Sequence, residues 1–413
     1  MIDEQHSTNK NVLWTSTINT QLSAAAALRD ACEKALSNCG GIKPDAAFVF
    51  LSGYPAADLE NIGSEIMRRT GVSRVLGCTA GGVVGGGREI EHKPSLSLTL
   101  ASLPNVNIQS FHITPDEYPD GDAPPSAWHE KLGIRPGGKV TFIILPDPFS
   151  SDPQRFIDGL DYAFSNTTKL GGLASGGHSE GMNRLFLNDK TYRTGTVGFV
   201  LSGAIEVDTV VAQGCKPIGA TGTVTKVRGP FLMEIDAKPA LQFVQEQVEL
   251  LTKDERELAR IALFFGIAMD PFSDAPPAPG DFLIRNIIDV DAQRGYVAIG
   301  AQLSAGRIIQ LHVRDKQTSI DDLLTVLRRS MGSGTSEPAA TPSGALLFSC
   351  LGRGRHLYGE ADKDTQLFHS VVGEVPLGGF FCNGEIGPVS GGTYLHGFTS
   401  SFGLFRPGAV SQS

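Results

Sequence analysis

The sequence predicts a mixed α/β fold in which two packed, mixed β-sheets carry helices on their outer faces. Hydrophobic residues make up 41% of the 413 residues, which is enough to bury a sizeable core. Continuous apolar runs of strand length occur at 46–51, 139–145 and 345–349, a pattern typical of strands buried on both faces. A polar loop, a helical pattern and a glycine-rich turn follow each run, so strands and helices alternate along the chain.

One unit of strand, polar loop, helix, short strand, glycine turn and hairpin occurs three times. Helical spacing of apolar residues predicts the helices, and the glycine-rich turns follow at 77–87, 171–177 and 378–387. The predicted helices cover 21–37, 58–70, a segment opened by Pro153, and 364–372. From strand start to glycine turn the spacing is about 30 residues each time, the length of a βαβ-type unit. This period predicts internal duplication. Glycine-punctuated α/β chains also look self-similar without it, so that alternative stays open.

A different block lies between the second and third copies. It contains a helical pattern at 238–251 and a proline-rich loop at 270–280. Three strand-like segments at 282–290, 295–303 and 306–313 predict an antiparallel meander. A Gly/Ser/Pro/Thr-rich stretch at 331–343 predicts a flexible linker.

Charge and cysteine content exclude several classes of function. The net charge of −9 disfavours a general nucleic-acid surface, and no apolar run is long enough to span a membrane. The six cysteines form no C-x-x-C pair, which argues against a zinc site or a disulfide framework. The N-terminus lacks the apolar segment of a secretory signal. We expect a cytoplasmic protein without metal or cofactor.

Polar side chains within the glycine turns are the candidate ligand-binding residues. Hydroxyl groups and free backbone amides in such turns can hold carboxylates or phosphates. The candidates are Cys78, Thr79, Ser175, Gly176, His178, Arg184, Asn383, Glu385 and His396. Neither a P-loop nor a G-x-G-x-x-G fingerprint occurs, so nucleotide binding is disfavoured. The same glycines would also suit simple hairpins.

Cys382 and His396 suggest an alternative, an enzyme with a cysteine nucleophile. They are fourteen residues apart across a presumed turn, so the imidazole could act as the base that a thiol needs. No hydrolase signature surrounds the cysteine, however, and packing or ligand contact is the simpler explanation.

Glu385 has two readings as well. A glutamate set among glycines and apolar residues is costly to bury unless it is paired. It could meet the ammonium group of a ligand, or an arginine of its own chain such as Arg353 or Arg355.

Several stretches resemble the FIST family. Gly-Gly-Phe-Phe-Cys-Asn-Gly-Glu-Ile-Gly-Pro at 378–388, followed by Leu-His-Gly-Phe-Thr-Ser at 395–400, is similar to the closing motif of that family. The segments at 214–220 and 234–241 resemble the entry to its C-terminal half, and those at 77–82 and 170–177 its N-terminal half.

The resemblance implies a FIST N-type domain at 12–224 and a FIST C-type domain at 225–405, the latter containing the linker. It also implies a sensory role in signal transduction, with a small ligand such as an amino acid or a derivative. Nothing in the sequence resembles an output module, so signalling would need a separate protein partner. A ligand-free interaction scaffold is the third hypothesis.

Overall fold

The computed structural model describes residues 12–134, 138–165, 167–270, 276–277, 280–301, 303–332 and 339–409. The mixed α/β class is confirmed. Across these residues the strands form four sheets rather than the two predicted. They belong to two compact units. Unit 1 comprises the chain up to Val210, Leu327–Leu395 and the segment from Ser401 onward; unit 2 comprises Val211–Val326 and His396–Ser400.

The first two copies of the repeat lie in unit 1 and have the same order of elements. Copy 1 contains β1 (Leu13–Asn19), α1 (Ala24–Asn38), β2 (Ala46–Ser52), α2 (Ile62–Thr70), β3 (Arg74–Thr79), β4 (Gly82–Gly85), β5 (Arg88–Glu91) and β6 (Ser95–Ser102). Copy 2 contains β7 (Val106–Ile113), α3 (Pro125–Leu132), β8 (Val140–Pro146), α4 (Pro153–Ala163), β9 (Thr168–Gly172), β10 (Leu185–Leu187), β11 (Lys190–Tyr192) and β12 (Thr196–Gly203).

The third copy is interrupted by unit 2. It begins with β13 (Ile205–Ala212), after which the chain forms β14 (Cys215–Arg228), β15 (Phe231–Ile235), β16 (Lys238–Pro239), α5 (Ala240–Glu249), α6 (Lys253–Ile261), β17 (Leu263–Ala268), β18 (Phe282–Asp291), β19 (Tyr296–Ile299), β20 (Ile308–Arg314) and α7 (Lys316–Ser330). Copy 3 then resumes with β21 (Gly344–Cys350), α8 (Gly354–Tyr358), α9 (Lys363–Val372), β22 (Leu377–Cys382), β23 (Glu385–Val389), β24 (Gly392–His396) and β25 (Ser400–Pro407).

Each copy is built on one parallel strand pair: β2–β3, β8–β9 and β21–β22. A glycine on the second strand lies opposite a fixed position of the first in all three copies. The pairs are Gly77 with Val49, Gly171 with Ile144, and Gly379 with Leu347. A Cβ added to these glycines would lie 1.8, 1.9 and 1.9 Å from the partner's carbonyl oxygen. The shared register confirms the predicted internal repetition.

The three copies exchange their hairpins. The β4–β5 hairpin of copy 1 pairs with β22 of copy 3, and the β10–β11 hairpin of copy 2 pairs with β3 of copy 1. The β23 strand of copy 3 pairs in turn with β9 of copy 2. The resulting six-stranded sheets have the orders β1-β6-β2-β3-β10-β11, β24-β23-β9-β8-β12-β7 and β13-β25-β21-β22-β4-β5. Every copy therefore completes the sheet of another.

Side chains on the two faces of each strand pack into different hydrophobic clusters, one inner cluster and separate outer clusters beneath the helices. Phe48 and Phe50 of β2 join an inner cluster to which β8 and β21 also contribute, and the Phe50 and Phe380 rings stack at 4.6 Å. The intervening residues of β2, such as Val49, pack instead against α1 and α2. The predicted two-sided burial is confirmed for β2 and β8, which are buried throughout, and for β21, which is buried up to Ser349; Lys139, just before β8, is exposed.

Unit 2 is a seven-stranded sheet with the order β14-β20-β17-β18-β19-β15-β16. The predicted meander is confirmed for β18 and β19 but is wrong for β20, because β17 lies between β20 and β18. The predicted domain boundary at 224/225 falls within β14 and stays a prediction. Residues 333–338 of the predicted linker lie outside the described residues.

No helix within the described ranges is long and apolar enough to cross a membrane.

Candidate functional site: the junction of three glycine turns

The turns that follow β3, β9 and β22 meet in unit 1, and we call residues 79–82, 173–177 and 382–385 the turn junction. Backbone hydrogen bonds join them in pairs. The Ser175 N–H donates to the Thr79 carbonyl at 3.1 Å. The Leu173 N–H donates to the Gly384 carbonyl at 2.9 Å, and the Leu173 carbonyl accepts from Asn383 N–H at 3.1 Å. The three predicted turns, which are far apart in sequence, therefore lie together in the fold.

Ser175 connects all three turns through its side chain. Its hydroxyl donates to the Phe381 carbonyl and accepts a 2.9 Å hydrogen bond from the Gly81 N–H. Only 6% of the residue is exposed. Because the protein uses the hydroxyl both as a donor and as an acceptor, Ser175 holds the three turns together; its role as a ligand contact stays a prediction.

A chain of buried polar groups continues from Thr79 into copy 2. The Thr79 hydroxyl donates to Asn183 Oδ1 at 3.1 Å and accepts from the Arg184 N–H at 2.9 Å. Asn183 Nδ2 then donates to Asp147 Oδ1 at 2.8 Å, and Asp147 also accepts from the Ser150 hydroxyl. Sequence reasoning missed Asn183. Its signal was its place directly before Arg184, in the turn whose other polar residues were selected.

Arg184 uses its charge within the protein. The side chain is buried and its Nε donates to Glu60 Oε1 at 3.0 Å, while Nη1 donates to carbonyls of the same loop. Burial alone would raise the pKa of Glu60, but hydrogen bonds from Arg184 and Arg193 outweigh it and lower that pKa. The predicted ligand-binding role of Arg184 is thus replaced by an ion pair between copies 1 and 2.

The two thiols near the junction are held as neutral groups. Cys382 Sγ lies 3.4 Å from the Ser349 carbonyl oxygen and 3.3 Å from Glu385 Oε1, and its one S–H can donate to either acceptor. Burial, reinforced by the Glu385 charge, raises the pKa of Cys382 well above its usual range. Burial and the Asp147 charge do the same for the pKa of Cys78. Both side chains are fully buried, which opposes a role as nucleophile.

The remaining candidates differ in exposure and position. Gly176, His178 and Asn383 are exposed at the junction, and we call these three residues the rim. Glu385 is fully buried on β23, opposite Gly172 of β9. His396 is buried at the end of β24, in the short segment of the chain that belongs to unit 2.

Arg353 is not the partner of Glu385 that the sequence suggested. It is fully buried and holds Asp364 with two hydrogen bonds of 2.9 Å, from Nε and Nη2. Tyr358 also donates to Asp364 at 2.8 Å. Arg353 is therefore paired with Asp364, and the Arg353–Glu385 pair that the sequence suggested does not form.

Glu89 of β5 lies beside this pair and receives the Thr365 N–H on Oε1 at 2.6 Å. Burial and the nearby Asp364 raise the pKa of Glu89 to about 8. We call Glu89, Arg353, Tyr358, Asp364 and Thr365 the ion cluster.

The part of the chain that the structure describes contains no group of three or more His, Cys, Asp or Glu side chains able to hold a metal. The junction itself contains hydrogen-bonding groups and the buried carboxylate of Glu385, and the buried carboxylate of Asp147 is linked to it through Asn183.

Comparison with known proteins covers nearly all of the chain. The FIST N domain matches residues 45–238 and the FIST C domain matches residues 240–388. Rv0628c, an uncharacterized protein of Mycobacterium tuberculosis (strain ATCC 25618 / H37Rv), is 36% identical over 331 residues, which cover 80% of this chain and 83% of that protein. Mb0898c, an uncharacterized protein of Mycobacterium bovis, is 32% identical over 382 residues, covering 92% and 96% of the two chains.

FIST domains are sensory domains of signalling proteins. The two matches follow one another along the sequence in the order that the glycine motifs suggested. On these matches, the chain belongs to the FIST family.

Proposed function

We propose that this protein is a cytoplasmic sensor that binds a small polar metabolite, an amino acid or a derivative of one, at the rim of the turn junction. The observation that carries the proposal is the meeting of three distant turns through Ser175. A ligand seated there would touch copies 2 and 3, and copy 1 is joined to the same turns by hydrogen bonds from Ser175 and Gly81. Its binding energy could then bias how the copies pack, which is what a sensor requires.

The rim supplies the recognition chemistry. The Asn383 side chain is both donor and acceptor, and the His178 imidazole can take either role. Behind them, Ser175 and Thr79 fix the turns, so the rim has little conformational freedom to lose when a ligand binds. An amino acid presents a carboxylate and an ammonium group, which match exposed amide donors and the carbonyl oxygens of the glycine turns. The six free thiols fit a reducing compartment.

A panel of amino acids and their derivatives tests the proposal, with thermal shift as the screen and calorimetry to confirm hits. We expect at least one compound to bind, and the double variant Asn383→Ala, His178→Ala to weaken it at least tenfold. The matched control is Ser179→Ala, which changes an exposed neighbour of His178 and should leave binding unchanged. An unaltered dissociation constant in the double variant, or no ligand from the whole panel, would overturn the proposal.

A second candidate, a docking surface for an output protein, is favoured by three exposed apolar side chains beside the junction. Phe149, Met182 and Leu351 are 40%, 48% and 38% exposed. Leu351 lies against Gly81, and Met182 lies against Gly177. Exposed apolar groups that flank a polar site are common in interaction surfaces. A scaffold predicts partner capture that Leu351→Ser and Met182→Ser abolish and that added metabolites leave unchanged.

The enzyme hypothesis receives no support from the thiol environment. It requires one cysteine that alkylates quickly near neutral pH. We expect instead that Cys78 and Cys382 react with iodoacetamide only after unfolding, as followed by mass spectrometry of the labelled peptides.

A further inference from the structure

A polar cleft of about 350 Å³ lies in unit 1, away from the turn junction. It is bounded by the first residue of β3, the edge strand β7 and the turn of the β10–β11 hairpin, with Arg74, Asn107, Ile108, Gln109, Ser110 and Asn188 lining it. Strand β3 runs from Arg74 at the cleft to Thr79 at the junction. At about 3.3 Å per residue, the two places are roughly 17 Å apart.

This cleft is distinguished by Arg74, whose guanidinium is not paired with the carboxylate of any described residue. Its Nε donates to the Ile108 carbonyl at 3.0 Å and Nη1 donates to the Ser73 carbonyl at 3.0 Å. A guanidinium has five N–H donors, so donors remain for a further partner. Within the described ranges, three buried arginines each hold an acid, namely Arg184 with Glu60, Arg353 with Asp364, and Arg406 with Asp208, whereas Arg74 is half-buried. Arg74 forms no ion pair with any described residue.

The walls of the cleft are fixed by hydrogen bonds that do not use the Arg74 side chain. Asn188, at the hairpin turn, has a positive φ of 55°, accepts from Val75 N–H at 3.2 Å and donates to the Ser110 hydroxyl at 3.2 Å. The turn is seated on Gly63 of α2, where an added Cβ would lie 1.9 Å from the Asn188 carbonyl oxygen. Gln109 is held by the Leu132 carbonyl. A binding site with such walls loses little entropy when it is occupied.

The repeat provides an internal comparison for the cleft. Ser110 pairs with Phe199, which pairs with Ile143; Ser16 pairs with Thr99, which pairs with Phe48. Ile143 directly precedes Ile144, the partner of Gly171, and Phe48 directly precedes Val49, the partner of Gly77. The two residues therefore occupy the same position in copies 2 and 1. Ser16 and Ser110 are therefore equivalent.

Ser16 lines a second cleft, of about 320 Å³, at the equivalent exchange between copies 1 and 3. There the Ser16 hydroxyl accepts from the Gly86 N–H of the hairpin turn at 3.2 Å. The position equivalent to Arg74, three residues before the register glycine, is Pro376, and Glu374 also lines this cleft. The two clefts share one framework, yet an unpaired arginine lines the first and Glu374 with His369 lines the second, so this framework does not require the charge of Arg74.

We propose that the Arg74 cleft binds a small oxoanion, through the carboxylate or phosphate group of a metabolite. The guanidinium supplies charge-assisted donors in a forked arrangement that suits either group. Asn107, Gln109 and Ser110 line the same cleft as neutral polar residues. The site is independent of the proposed ligand at the rim, and one can exist without the other.

Calorimetric titration with inorganic phosphate and, separately, with succinate tests the proposal on the full chain at low and high salt. We expect one bound anion per chain, with affinity that falls as salt rises. Arg74→Gln should weaken binding at least tenfold, and Arg74→Lys should do so less, because lysine keeps the charge but loses the fork. Asn188→Asp, a substitution that the left-handed backbone tolerates, should weaken binding by placing a negative charge in the wall.

The matched control is Arg228→Gln, which removes an exposed arginine of unit 2 and should leave the affinity unchanged. Binding of phosphate alone would assign a phosphate-bearing ligand, and binding of succinate alone a carboxylate. Binding retained in the rim double variant would separate the cleft from the rim. The proposal is overturned if neither anion binds the wild-type chain, or if Arg74→Gln, with an unchanged melting temperature, binds as the wild type does.

Discussion

The turn junction and the ion cluster are both buried polar regions of unit 1, but they are satisfied to different degrees. At the junction, Ser175 and Asn183 give and receive hydrogen bonds at their side chains, and every bond is made to the protein. In the ion cluster, Glu89 Oε2, Arg353 Nη1 and Thr365 Oγ1 are buried without a hydrogen-bond partner among the described residues. The junction is thus a saturated seam between copies, and the ion cluster is an under-satisfied charged site.

This difference in hydrogen bonding indicates which region fixes geometry and which region responds to pH. A saturated network of mostly neutral groups fixes geometry and responds little to pH. In the ion cluster, Asp364 holds the Arg353 guanidinium, and Glu89 is buried near the Asp364 charge, so the protonation of Glu89 depends on the packing around it. The junction is suited to holding a rim in place. The ion cluster is suited to making the β4–β5 hairpin sensitive to pH.

The largest expected effect comes from breaking the strand pair that supports the junction. In Gly171→Ala the new Cβ would lie 1.9 Å from the Ile144 carbonyl oxygen, so the β8–β9 pair must separate. We expect a loss of at least about 4 kcal/mol in the free energy of unfolding, measured by urea denaturation, or no folded protein. Gly181→Ala is the control. Its Cβ meets nothing within 4 Å, and its positive φ of 75° should cost only about 1 kcal/mol. Equal losses in the two variants would contradict the role of the close strand contact.

The ion cluster should be nearly as sensitive to loss of its cation. Arg353→Met removes the cation from the buried Asp364, which keeps the hydroxyl donors of Ser349 and Tyr358, and we expect a loss of about 3–5 kcal/mol in denaturant unfolding. The double variant Arg353→Met, Asp364→Leu removes both charges and should recover part of that loss. If the double variant is less stable than the single one, packing rather than uncompensated charge dominates the cluster.

Removal of one junction hydroxyl should have a smaller effect. Ser175→Ala leaves the Gly81 N–H and the Phe381 carbonyl without their shared partner, which should cost about 1–3 kcal/mol. The effect should not change between pH 5 and pH 9, because neither group titrates. Ser179→Ala, on the exposed side of the same loop, should be neutral within about 0.5 kcal/mol. A pH-dependent loss in Ser175→Ala would erase the contrast with the ion cluster.

The smallest expected effect, counted per pH unit, is the change in the free energy of unfolding caused by the titration of Glu89. Its pKa rises from 4.5 to about 8 on folding, chiefly through burial and then through Asp364, with Asp362 adding to the same direction. Between these values the unfolded chain releases a proton that the folded chain keeps, so the free energy of unfolding falls as the pH rises, by up to about 1.4 kcal/mol per pH unit. Burial and the Asp364 charge raise the pKa of Tyr358 above its usual value, so Tyr358 stays protonated over this range.

Glu89→Gln removes the titrating group while keeping its shape. We expect the fall in stability between pH 5 and pH 8 to flatten in this variant, measured by urea denaturation at several pH values. The comparison variant is Glu65→Gln, because Glu65 is an exposed residue whose pKa is lowered by its hydrogen bond to Arg68. A parallel decline in wild type and Glu89→Gln would show that another group is responsible.

The sequence predicted local elements better than their assembly. The apolar run at 46–51 became β2, and the helical pattern at 364–372 became α9, because burial on two faces and period 3.6 are local signals. The glycine turns were located correctly and converge. The hairpin exchange was not foreseen, since strand pairing between copies depends on chain segments far apart in sequence, and a hairpin has the same pattern whichever sheet it joins.

The candidate site was harder to predict because residue type does not reveal where hydrogen bonds go. Arg184 and Ser175 were chosen as polar residues in a glycine turn, yet both are spent on contacts within the protein. Arg74 carried no signal, since a single arginine at the start of a strand is common. Only the folded arrangement reveals that it has no acid beside it.

Because each hairpin completes a sheet that belongs to another copy, the three copies form a closed ring of mutual dependence. Loss of one copy would leave one sheet with a bare edge and one hairpin with no sheet to join. In a linear solenoid, a terminal repeat can be removed while the rest stays folded. In unit 1, removal of any one copy would disrupt the sheets of the others.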